Sequence, residues 1–117
     1  MARVVAVFDD LLLGSNVLGI LRAAGHEASL AGRLDAAVGE ADVLVIDLGA
    51  AGFDAIAAVE RMRAAGELTG VRTLGVYSHV HHDVRVRAEA AGFDLVVPRS
   101  RMAREGGRLV DRLLGED

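Results

Sequence analysis

Three aspartates, Asp9, Asp10 and Asp47, stand at the ends of apolar runs, where together they could share a hard divalent cation or carry a phosphoryl group. Asp9 and Asp10 follow Arg3–Phe8 (RVVAVF), and Asp47 follows Asp42–Ile46 (DVLVI). Ser78 and His79 come directly after Thr73–Tyr77, and Pro98, Arg99 and Ser100 after Leu95–Val97. Carboxylates gathered at one edge repel each other unless a cation is shared, and Mg2+ suits them because it takes hard oxygen ligands and keeps several waters. A metal held by Asp9, Asp10 and Asp47 could also bind a phosphoryl oxygen while an aspartate carboxylate attacks phosphorus in line. Ser78 would then donate a hydrogen bond to the transferred group. Taken singly, each aspartate reads better as a polar residue ending an apolar strand, with Asp10 capping the helix that follows. The three together, with a hydroxyl in register, point to a site.

The elements that must bring these residues together are legible from periodicity. Strand-length apolar runs alternate five times with helix-length amphipathic stretches. Arg3–Phe8 is followed by a helix over Leu11–Ala24, with Leu13, Val17 and Leu21 on one face and Gly25 as its stop. His26–Ala31 is a weaker strand and Arg33–Glu40 a short helix, before the clear strand Asp42–Ile46. A helix over Phe53–Ala65, a strand over Thr73–Tyr77, a helix over Asp83–Ala91, a short strand over Leu95–Val97 and a last helix over Arg101–Leu114 complete the chain. Gly106 and Gly107 are expected to weaken that last helix.

Strands so apolar, without alternation, are covered on both faces, which implies a parallel sheet between two layers of helices. Repeated βα units with short connections are the doubly wound α/β pattern. In such a sheet ligands bind beyond the carboxyl ends of the strands, where the aspartates, Ser78 and Arg99 all fall. No linker, repeat or low-complexity stretch interrupts the pattern, so residues 1–117 are expected to form one domain.

Composition removes several classes. With no cysteine there are no disulfides, thiolate metal sites or thiol nucleophiles, which fits a reducing cytosol. No apolar run reaches the roughly 20 residues of a membrane span, and Val4–Phe8 is too short for a signal peptide. A cytoplasmic protein without membrane contact is expected. Thirteen arginines face 17 acidic residues, leaving a net charge of −4, which argues against nucleic acid as a partner. There is no lysine at all.

Along its whole length the sequence resembles the response-regulator receiver family. RVVAVFDD is similar to that family's first strand with its metal-binding acid pair, DVLVIDLG to its third strand ending in the phospho-acceptor, and LGVYSH to its fourth strand ending in a phosphoryl-sensing hydroxyl. AEAAGFDLVVP is similar to its fourth helix and fifth strand. The resemblance implies a flavodoxin-like strand order of 2-1-3-4-5, Asp47 as phospho-acceptor, Asp9, Asp10 and Asp47 as weak Mg2+ ligands, and Ser78 as a hydrogen-bond donor to the phosphoryl group. It implies a stand-alone module of two-component signalling. The partners would be a histidine kinase or phosphotransfer protein and a downstream protein, and a homodimer could form through helix four, strand five and helix five. At most, the chemistry would be self-phosphorylation and dephosphorylation.

The departures from the family concern readout. After the acceptor, Ala51 and Ala55 stand where Pro and Gly are usual, although Asp54 is kept. The family's Lys-Pro pair on strand five is Val97-Pro98 here, with Arg99 next as a possible substitute whose planar fork differs from a compact ammonium. The family's aromatic switch residue on strand five falls near Leu95. A phosphorylation-independent pseudo-receiver is therefore the competing reading.

Other motifs have plainer readings. His79, His81, His82 and Asp83 are similar to the HxHxDH run of metallo-β-lactamase-like hydrolases, but Val84 stands where the last histidine is required, so the stretch reads as a polar loop with Asp83 as N-cap. Gly14-Ser15-Asn16-Val17-Leu18-Gly19 lacks the Gly-Lys-Ser/Thr ending of a phosphate loop and lies within a helix. Arg101, Arg104, Arg108 and Arg112 form a stripe expected to pair with Glu105 and Asp111. A flavin- or cobalamin-binding domain shares the sheet topology, but acids after strand one and few aromatics disfavour flavin, and an Asp-x-His-x-x-Gly stretch similar to that of common cobalamin binders is absent.

Overall fold

A computed structural model of the protein describes residues 2–39, 41–49, 54–78 and 82–115. Ala51, His79 and His81, singled out above, lie outside the described residues. Five strands form one sheet: β1 (Arg3–Val7), β2 (Glu27–Ala31), β3 (Val43–Asp47), β4 (Arg72–Tyr77) and β5 (Leu95–Pro98). All are parallel, in the order β2-β1-β3-β4-β5, as expected. The connecting helices are α1 (Leu11–Ala23), α2 (Leu34–Ala37), α3 (Ala55–Ala64) and α4 (His82–Ala91), and α5 (Arg99–Leu113) closes the chain. Among the described residues no helix is long and apolar enough to cross a membrane.

The two-residue period of a strand sorts the core into two layers. Val4, Ala6, Val43, Val45, Leu74, Val76 and Val97 face Val17 and Leu21 of α1 and Met102, Leu109 and Val110 of α5. Val7, Leu44, Ile46, Tyr77 and Val96 face the other way, onto α2, α3 and Ala88 of α4. Asp47 has the parity of Val43 and Val45, which assigns it to the α1/α5 side at the carboxyl end of the sheet.

Element boundaries differ from expectation for local reasons. β3 includes Asp47 because its backbone is in register with Val76 of β4. α5 starts at Arg99, two residues ahead of Arg101, because Pro98 is both the last strand residue, paired with Tyr77, and the extended N-cap of the helix. α4 begins at His82, so Asp83 lies in its first turn and not at its cap. α2 is a single turn, shorter than Arg33–Glu40. α1 ends as the Gly25 signal implied: Gly25 has a φ of 91°, and the His26 N–H donates back to the Leu21 carbonyl at 3.1 Å.

That return places His26 in the interior. Its Nδ1 accepts from the Ala2 N–H at 3.3 Å and its Nε2 lies 2.9 Å from Asp111 Oδ1 on α5. The neutral tautomer with hydrogen on Nε2 satisfies both contacts, joining the chain start to the last helix. Asp111 is therefore a partner of His26, outside the arginine stripe. Arg101 and Arg104 do pair with Glu105, at 3.4 and 3.9 Å. Gly106 and Gly107 do not interrupt α5; they lie where it touches α1. A Cβ on Gly107 would sit 2.4 Å from Ala24 Cβ, and one on Gly106 would sit 3.0 Å from Ile20 Cγ2.

Candidate functional site at the carboxyl edge of the sheet

Asp47 ends the central strand and is almost fully enclosed, at 2% exposure. Its Oδ1 accepts the Gly49 N–H at 3.0 Å, a turn in which the chain doubles back on the carboxylate two residues earlier. The same oxygen faces Arg99 Nη2 at 3.4 Å. Among the described residues nothing bonds Oδ2, so one oxygen is pinned and the other is left available. Arg99, the first residue of α5, has a side chain 42% exposed and brings the positive charge that offsets the enclosed carboxylate. A Cβ on Gly49 would stand 3.3 Å from Arg99 Nη2 and 3.6 Å from Asp47 Oδ1, so the absent side chain leaves the guanidinium its approach.

The acid pair after β1 is divided between two roles. Asp10 caps α1: its Oδ1 accepts from the Leu12 and Leu13 N–H groups at 2.9 and 3.1 Å. Asp9 is exposed at the bend before it. Among the described residues no three acidic or imidazole groups are gathered to hold a metal ion. Mg2+ does not require three, since it is usually held by one or two carboxylates with water and substrate phosphate completing its shell. Asp9 and the second oxygen of Asp10, both at the exposed edge, suit that mode. Replacing Asp10 with alanine is expected to cost about 1 kcal/mol through the lost cap, whereas Asp10→Asn should be near neutral; urea titration of both variants measures the difference.

Ser78, half-buried, follows β4 directly. It continues the parity of Val76, which pairs with Asp47 in register. Val97, at the place of the missing lysine, is fully enclosed and packs into the α1/α5 layer. Leu95 packs against the same layer. Of the HxHHD stretch, Asp83 is exposed in the first turn of α4.

No family model matches the sequence, and no curated protein matches it. Solved structures do. A response regulator receiver protein from Burkholderia phymatum is 25% identical, with a TM-score of 0.81 over 100% of this chain and 98% of that one. The receiver domain of Francisella response regulator 1452 aligns with a TM-score of 0.83 at 17% identity, over 98% of each chain. This chain has the receiver fold. The chemotaxis response regulator CheY4 of Vibrio cholerae shares it too, with a TM-score of 0.80 at 19% identity over 97% of this chain and 98% of that one. Read as a receiver, the chain carries Asp47, Arg99 and Ser78 at one edge of its sheet. Gly49 was not singled out from sequence. Its signal is a residue without a side chain two places after a strand-ending aspartate, where the N–H can turn back onto the carboxylate.

Proposed function

We propose that the chain is a receiver-like signalling module that accepts a phosphoryl group on Asp47 and acts through protein contacts. The observation that carries this is the asymmetry of the Asp47 carboxylate, with Oδ1 held by Gly49 and Arg99 and Oδ2 unbonded among the described residues. A carboxylate fixed through one oxygen presents the other in a defined direction, which is what in-line attack on phosphorus needs. Oδ2 forms the new O–P bond, and the bond from phosphorus to its leaving group breaks; with acetyl phosphate, acetate departs with the electron pair. The guanidinium of Arg99 has N–H groups to spare for the phosphoryl oxygens, and the Ser78 hydroxyl can donate to one of them. Asp9 and Asp10 are the side chains that would hold Mg2+ on the Asp47 side of the sheet edge, and the cation would supply further charge neutralisation.

Phosphoryl donors of the matching chemistry are a histidine kinase or a phosphotransfer protein, and residues 1–117 would act as one domain in the cytoplasm. The outer faces of α4, β5 and α5 would carry a downstream protein or a second copy. The test is an NMR titration with Mg2+ and beryllofluoride, a phosphoryl mimic. Amide shifts concentrated at Asp47, Gly49, Ser78 and Arg99, absent in Asp47→Asn, are expected.

A second reading is favoured by one contact. The Arg99–Asp47 pair already balances the enclosed charge, so the same residues could serve as a fixed tie in a phosphorylation-independent interaction module. Absence of beryllofluoride shifts in the folded protein would select it.

A further inference from the structure

We propose that Arg99 couples the charge state of Asp47 directly to the first turn of α5, so that this helix is itself the element that reports on the site. The proposal rests on Asp47 as the phosphoryl acceptor and adds the route by which its state leaves the site.

Arg99 is at once the side chain that meets the Asp47 carboxylate and the first residue of α5. Pro98, the residue before it, gives the helix no side-chain cap. The opening turn is thus tied to the site through the Arg99 guanidinium. Further along, α5 is held by other means: Gly106 and Gly107 lie against Ile20 of α1 and Ala24, its C-cap, and Asp111 bonds His26. The helix is fixed in its middle and at its far end, Met102 anchors the end of its opening turn in the core, and the Arg99–Asp47 contact ties the start of that turn to the site. Gly49 keeps the path between the two clear.

The signs follow from charge. Removing the negative charge of Asp47 deprives Arg99 of its partner and lets the first turn open more often. Adding a phosphoryl group raises the negative charge at that point and offers the planar fork two or three further oxygens, so the turn is held more firmly. A shift in either direction needs only a difference in contact free energy between the two states of the turn. No aromatic residue near Leu95 takes part.

Hydrogen exchange of the full chain reads this out. In a helix starting at Arg99, the first amides with intrahelical acceptors are those of Met102 and Ala103, so Met102–Glu105 is the reporting stretch. Asp47→Asn should speed exchange there roughly fivefold, while Leu109–Leu113 stays unchanged. Protein shown by intact mass to carry the phosphoryl group should exchange more slowly in the same stretch. Arg99→Gln, at an exposed position, should match the faster rate and lose the response to phosphorylation. Unchanged exchange at Met102–Glu105 in Asp47→Asn overturns the coupling, as does a change spread evenly over α5, or an adduct that leaves the rate unaltered. Failure of the adduct to form, with Asp47→Asn still opening the turn, would instead remove Asp47 as acceptor and leave the Arg99 tie standing.

Discussion

Gly107→Ala should lower the stability of the fold by about 2 kcal/mol, even though alanine is the better helix former. Helix propensity alone favours the substitution by roughly 1 kcal/mol. Against this, the new Cβ would stand 2.4 Å from Ala24 Cβ, more than 1 Å inside ordinary contact. Both are Cβ atoms fixed to backbone, one within α5 and the other at the C-cap of α1, so no side-chain rotation relieves the overlap; α5 and the end of α1 must separate. Overpacking of this kind costs about 1–3 kcal/mol and more when backbones shift. Urea denaturation measures the result, and Ala24→Gly added to Gly107→Ala should restore most of the loss, a coupling expected of directly touching residues. A single variant more stable than the parent would show that propensity wins and that the two helices have room.

Asp94→Ala is expected to cost about 2–3 kcal/mol, because it strips a buried strand of its acceptors. Asp94 Oδ2 receives the Thr73 N–H at 2.8 Å, the Thr73 hydroxyl at 3.1 Å and Arg63 Nη2 at 3.4 Å. Thr73 has no exposed surface, so its freed N–H has no water to turn to. Arg63 Nε is already enclosed without a partner, against Gly92, so this corner of α3, β4 and β5 has little slack. Asp94→Asn keeps one oxygen for the Thr73 N–H and should lose less than half as much. A fall within about 0.5 kcal/mol for the alanine variant, the range of ordinary surface changes, would mean that the contacts are incidental.

Much of this architecture could be read from the residue pattern because the strands are so uniformly apolar. Runs such as DVLVI have only one stable setting, inside a sheet covered on both faces, and the intervening helical periods then dictate the parallel order. Asp47 was legible for the same reason: a lone carboxylate ending such a run has to sit at the carboxyl edge. Arg99 was visible as a candidate but not its placement, since that depends on Pro98 ending β5 and beginning α5 at once. The two glycines of α5 looked like a weakness because propensity is a property of one helix, whereas their use lies in contacts 83 or more residues away in sequence. His26 and Asp111 were illegible as a pair for that reason as well, being 85 residues apart.

Phosphoryl transfer to Asp47 would use Oδ2, which nothing bonds among the described residues, as the nucleophile toward phosphorus. Incubation of the protein with acetyl phosphate and Mg2+, followed by intact-mass measurement, tests it most directly. One added phosphoryl group on the parent chain, none on Asp47→Asn, and reduced yield for Arg99→Gln are expected. A folded parent protein that gains no adduct, or an adduct that persists in Asp47→Asn, would contradict it.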